Sequence, residues 1–230
     1  MNSFKRRQYL SRHDEERKLK KKAHKRFLKA TLSSDDLNNY IMVAQVLQKI
    51  IKDADYKSIP TVLDKIILPD GASLEVEGPD IEGNDIGDTS KLLIRLPGGG
   101  STYSIYDHIL FEDSCMGAWQ AFLLHQMWHY LPLWWHALYD KRNYVYSKDS
   151  LSGISHEDDI IVDLSCLSDT DFSPKVYKGN GRYYVSCCFW TDFGGMKREY
   201  SELTMNGGRL AEFFVFNEET LFESECGIYF

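Results

Sequence analysis

The chain has five cysteines, an odd number, and no two stand in Cys-x-x-Cys spacing. Nothing in their spacing points to a redox pair or a cysteine metal site. Cys187 and Cys188 are adjacent and face opposite sides of a strand, which makes them packing residues. The competing role is a nucleophilic thiol served by a distant histidine. No apolar leader follows Met1; Lys5-Arg6-Arg7 runs on into further charge. A cytoplasmic chain with reduced thiols is the expectation.

Catalytic motifs fail at the residue that carries the chemistry. The Gly-rich turn Pro97-Gly98-Gly99-Gly100-Ser101-Thr102 follows a predicted strand, but no Gly-Lys-Ser/Thr closes it and no clear helix follows. Asp80, Glu82, Asp85 and Asp88 lie in an acidic loop whose hard oxygens suit calcium, without the spacing of an EF-hand loop. Glu157, Asp158, Asp159 and Asp163 would suit magnesium for phosphoryl chemistry. No nearby lysine completes that set, and charge protecting a strand edge explains the run as well.

Charge is also missing from one long stretch. Cys115–Tyr139 contains no Asp, Glu, Lys or Arg, yet holds four of the five tryptophans and three of the seven histidines. Ser114 is placed as its N-cap, and Asp113 suits the positive end of the helix dipole. Pro132 interrupts the run, so two helical pieces are predicted, near 115–130 and 132–140. Three His, two Gln and the mid-run Pro are awkward in lipid, so no membrane span is expected.

His125 and His129 are one turn apart on the first piece, the spacing with which two imidazoles grip one zinc. The zinc-protease pattern places Glu after the first His; here it is Gln126, which cannot act as the base. A metal-dependent hydrolase or metal-binding protein would use His125 and His129 as ligands, with His136, His108 or Glu112 as the third. Core histidines, hydrogen-bonded beside aromatic rings, are the plainer alternative. Trp128, Trp134 and Trp135 would form either an aromatic pocket for a flat or cationic ligand or ordinary core packing.

What the sequence does have is a division of charge. Residues 1–32 carry twelve Lys or Arg against three Asp or Glu, a net +9; the remainder carries 15 against 31, a net −16. Residues 3–31 read as a polar helix with a narrow stripe at Leu19, Ala23, Phe27 and Ala30. Arg17, Lys21, Lys25 and Lys29 are the residues of this arm expected to meet an acidic protein surface or nucleic acid.

The rest of the chain reads as one body over residues 33–230. A helix is predicted over 33–54, with Leu37, Tyr40, Ile41, Ala44, Leu47, Ile50, Ile51 and Ala54 on its buried face. Strands are predicted at Thr61–Leu68, Ser73–Glu77, Lys91–Leu96, Asp159–Leu164, Lys175–Lys178, Arg182–Trp190, Met196–Leu203, Arg209–Phe216 and Leu221–Phe230, and after the Gly-rich turn, a hairpin or connecting loop, Tyr103–Leu110 returns towards the central helix. The strand from Arg182 is apolar on both faces and belongs in the middle of its sheet. The expected fold class is α+β: a mainly antiparallel sheet, a meander in the C-terminal half, packed against a few helices, with the basic helix appended. The leading functional expectation is a non-enzymatic cytoplasmic interaction protein, with zinc as a cofactor only under the hydrolase reading.

Overall fold

The structure, a computed structural model, describes residues 18, 27, 34–52, 63, 66–77, 91–130, 142–151, 167–191 and 194–223; at 34, 36, 48, 50–52, 66, 76, 77, 91, 92 and 127–130 it describes the backbone alone. The expected helix over 3–31 lies outside these residues apart from Lys18 and Phe27, which are both helical. The second helical piece near 132–140 and the strand Asp159–Leu164 lie outside them as well.

Turn chemistry sets the C-terminal half. Asn180 and Gly181 adopt φ of 55° and 74°, and Gly207 and Gly208 adopt 57° and 81°. Positive φ at both central residues matches the twist of the strands that a two-residue hairpin joins. These turns link β7 (Lys175–Gly179) to β8 (Arg182–Thr191), and β9 (Gly195–Asn206) to β10 (Arg209–Phe222). With β6 (Asn143–Val145) they form a five-stranded antiparallel sheet in the order β10-β9-β8-β6. β7 pairs with Arg182–Ser186 of β8 and β6 with Cys188–Trp190, so the two share one edge of β8 end to end. β8 is therefore central, and every residue after Arg182 in it is buried.

β10 joins the strand expected at Arg209–Phe216 to the first residues of the one expected at Leu221–Phe230, of which residues 224–230 lie outside the described residues. It runs 14 residues without a break and absorbs three register shifts against β9, at Leu210/Glu212, Val215/Asn217 and Thr220/Phe222. Bulges let the chain continue through Asn217-Glu218-Glu219-Thr220, which reads in sequence as an interruption.

Among the described residues, two long helices share a core with the sheet. α1 (Ser34–Lys52) buries Tyr40, Val43, Ala44 and Leu47 on one side. α2 (Cys115–Tyr130) begins where expected, with the Gly117 amide donating to Ser114 Oγ at 3.0 Å. Trp119, fully buried, ties the helices together: its indole N–H donates to the Tyr40 carbonyl at 3.1 Å. β1 (Ile66–Ile67) pairs with β5 (Leu110–Phe111), and β2 (Ser73–Glu77), β3 (Lys91–Arg95) and β4 (Ser101–Thr102) form a second small sheet. The stretch Tyr103–Leu110, expected to return towards the central helix, holds a 3-10 turn, Ile105–Asp107, and leads into β5. β2, β3, the 3-10 turn and β5 send Leu74, Ile94, Ile105 and Phe111 into one core with α1, α2 and the sheet face beneath them. Among the described residues no helix is long and apolar enough to cross a membrane.

The opposite sheet face is covered too. Leu151, Leu167 and Phe172 pack there with Cys188, Trp190 and Met196. Beside them, Phe27 packs with Tyr184, Tyr200 and Phe216. Cys187 belongs to the core under α2 and Cys188 to the outer cluster, so the adjacent thiols do face opposite ways.

Candidate functional site

Two constellations stand out, one on each face of the sheet. Under α2 lies a buried polar network. Alternation along β9 points Glu199 and Ser201 toward α2, and both are almost wholly buried. A buried carboxylate is costly unless it is paired and hydrogen-bonded. Gln126, one helical position past His125, donates its amide to Glu199 Oε1 at 2.9 Å. Ser201 donates its hydroxyl to the same oxygen. Arg142, just before β6, donates Nη1 to Glu199 Oε2 and reaches Gln126 Oε1 at 3.5 Å. Its Nη2 lies 3.4 Å from Glu218, and its guanidinium lies 4.0 Å above the Phe189 ring. Both Glu199 oxygens are thus occupied, and the Gln126 amide is committed at both ends.

Burial governs the titratable groups beside this network. It pushes the Tyr144 and Tyr146 hydroxyls and the Cys187 thiol well above their ordinary ranges, with the Glu199 charge adding to the effect at Tyr144 and Cys187. The Cys188 thiol on the other face is raised by burial as well, against the lowering influence of Arg198. Thiols held neutral are poor nucleophiles. The Tyr146 hydroxyl is buried and meets no hydrogen-bond partner among the described residues.

His125 is half-buried. Its Nδ1 lies 3.0 Å from the Tyr106 hydroxyl, and its ring stacks on Phe213 with centroids 3.8 Å apart. Burial pushes the Tyr106 phenol far above its usual range. The side chain of His129 lies outside the described residues, as do His136, Trp134, Trp135 and the side chain of Trp128. His108 is half-buried at the end of the 3-10 turn, and Glu112 is exposed before α2, accepting from Ser114 Oγ at 3.1 Å. Among the described residues no three His, Cys, Asp or Glu side chains gather closely enough to hold a metal ion, so His125, His108 and Glu112 make no such group. The carboxylates at 80–88 and 157–163 lie outside the described residues.

On the outer face, one aromatic ring comes from each of four strands: Tyr177 of β7, Tyr184 of β8, Tyr200 of β9 and Phe216 of β10. Phe27, only 2% exposed, sits among them. Its ring meets Tyr177 edge-on at 4.9 Å and Tyr200 edge-on at 5.3 Å, and lies stacked at 6.3 Å from Phe216. Tyr184 stacks on Tyr177 at 4.9 Å and meets Phe216 edge-on at 6.2 Å. Phe216 is the extra residue of the bulge between Val215 and Asn217. The Tyr200 hydroxyl donates to Glu219 Oε2 at 3.0 Å.

Phe27 belongs to the apolar stripe expected in the basic segment. Lys18, nine residues earlier, is exposed. Arg17, Lys21, Lys25 and Lys29 lie outside the described residues. Sequence reasoning missed Glu199, Arg142 and the four-ring socket. The signals were weak: an acidic residue within a strand of mixed polarity, and aromatic residues spaced along the predicted strands. No protein-family model, curated protein or solved structure matches the chain.

Proposed function

We propose that the chain is a non-enzymatic interaction protein of the cytoplasm whose basic amino-terminal segment contacts an acidic protein surface. The burial of Phe27 on the sheet supports this reading most directly: the segment holding twelve of the 27 basic residues is tied to the body by an uncharged ring. Arg17, Lys21, Lys25 and Lys29 supply the contacts. The neutral, buried Cys187 thiol and the committed Gln126 amide argue in the same direction, away from chemistry under α2. A metal-dependent hydrolase is the weaker reading, since Gln126 spends on Glu199 the amide that would orient a water molecule.

The test compares the full chain with a variant carrying Arg17→Gln, Lys21→Gln, Lys25→Gln and Lys29→Gln. Both are titrated against poly-L-glutamate and against a DNA duplex, from about 50 to 200 mM salt. Binding of poly-L-glutamate by the parent, lost in the variant, supports the proposal. Undiminished binding by the variant refutes it. Tight binding of the duplex alone, with the steep salt slope of phosphate contacts, would make nucleic acid the partner instead.

A further inference from the structure

We infer that Phe27 is a positioning residue for the basic segment: seated among Tyr177, Tyr184, Tyr200 and Phe216, it fixes that segment to the outer face of the sheet and so sets how tightly its cations hold a partner. The inference rests on the partner-binding role proposed above. Three observations carry it. The socket is assembled from four adjacent strands, so it is as rigid as the sheet itself. Phe216 enters it through a bulge, a device that re-aims a side chain, and the Tyr200 ring is held by its bond to Glu219. The Phe27 cluster is also distinct from the core under α1 and α2, so the seat can empty without dismantling the body.

Phe27 stands beside Arg26 in the chain and two residues from Lys25 and Lys29. Its seat is apolar, and salt does not screen apolar burial; the contacts of the cations with a partner are screened. Seat and partner binding therefore answer to different variables. A segment seated only a tenth of the time binds about tenfold more weakly, although its charges are unchanged.

The experiment uses the full chain as wild type, Phe27→Ala, Phe27→Leu and Tyr177→Ala. Each is titrated with poly-L-glutamate at two salt concentrations and digested with trypsin, following cleavage after Lys25, Arg26 and Lys29. Phe27→Ala is expected to bind about tenfold more weakly with the same salt slope, and to be cleaved about tenfold faster. Phe27→Leu should stay near wild type, and Tyr177→Ala should move in the direction of Phe27→Ala. Unchanged affinity and cleavage in Phe27→Ala would overturn the inference, and so would tighter binding. If Phe27→Ala fails to fold, the leucine and tyrosine variants carry the comparison with the same outcomes. If wild type ignores poly-L-glutamate and DNA, the partner-binding role falls. The cleavage rates then decide the seat alone: acceleration keeps it, and equal rates remove it.

Discussion

Replacing Arg142 with methionine leaves the Glu199 carboxylate under α2 without its countercharge. Methionine keeps the aliphatic stem and removes the guanidinium, with its contact on the Phe189 ring. Glu199 is 1% exposed and Arg142 12%, so water reaches the pair poorly. Breaking a buried pair on one side costs about 3–5 kcal/mol, because the remaining charge is stranded. That is a large share of the roughly 5–15 kcal/mol that holds a domain together. For a chain of this size it corresponds to a melting point lowered by about 6–20 °C. Glu199→Gln should cost less, about 1–2 kcal/mol, because an amide at 199 still meets Gln126 and Ser201, while Arg142 keeps Glu218 as a partner. The double variant should be less damaging than the two singles added together, by about 1–3 kcal/mol. Urea unfolding of all four proteins supplies the cycle. A cost below about 1 kcal/mol for Arg142→Met, or strict additivity, would show that the pair behaves as an exposed one, for which such values are usual.

Three further outcomes are expected. Gly117→Ala should lower stability by about 2–3 kcal/mol in thermal unfolding, because the new Cβ would lie 2.0 Å from the Glu112 carbonyl oxygen; that clash outweighs the ~1 kcal/mol by which alanine favours a helix over glycine. Tyr146→Phe should raise stability by about 1 kcal/mol, since it removes a buried hydroxyl that meets no partner among the described residues; a loss of stability would reveal a bond to that oxygen. Tyr200 should ionise near pH 12 rather than 10 when followed by its ultraviolet absorbance, because burial, and then its bond and charge interaction with Glu219, oppose the phenolate. Its raised value contributes stability below pH 10 that is lost as pH climbs through about 12, and Glu219→Gln should bring the midpoint down.

The elements with local signals were legible in the sequence. Asn180-Gly181 and Gly207-Gly208 mark hairpins because only residues tolerant of positive φ close them. The helical period marked α1, and Ser114 marked the start of α2. The antiparallel α+β class followed from those pieces, and so did the central place of β8. What stayed hidden depends on distant partners. Glu199 and Arg142 are 57 residues apart, and neither flank says that they meet. Glu-Tyr-Ser-Glu within β9 reads as an ordinary strand with polar residues outward, whereas Glu199 points in. β10 was split in sequence at its acidic run, because bulges leave no compositional trace. Phe27 stands out in sequence as an apolar residue within the basic segment, but its socket is drawn from four strands that only the folded sheet brings side by side.

The register of β9 connects the two constellations. Glu199, Ser201 and Leu203 face α2, while Arg198 and Tyr200 face the outer side, because the side-chain period of a strand is two. A slip of one residue would turn Arg198 toward Gln126 and take Tyr200 away from Phe27. The pairings of Cys187 with Glu199 and of Ser186 with Tyr200 fix both faces at once. Apolar residues alone specify β9 weakly, since both of its neighbours in the sheet carry apolar side chains on both faces. A carboxylate that finds its guanidinium, amide and hydroxyl only in one register is a stronger constraint, because every other register strands a charge. The network under α2 therefore adds little net stability over an apolar replacement, and its contribution is to select the alignment that places Tyr200 in the socket. In this way the ion pair on one face of β9 bears on the place that Tyr200 takes beside Phe27 on the other.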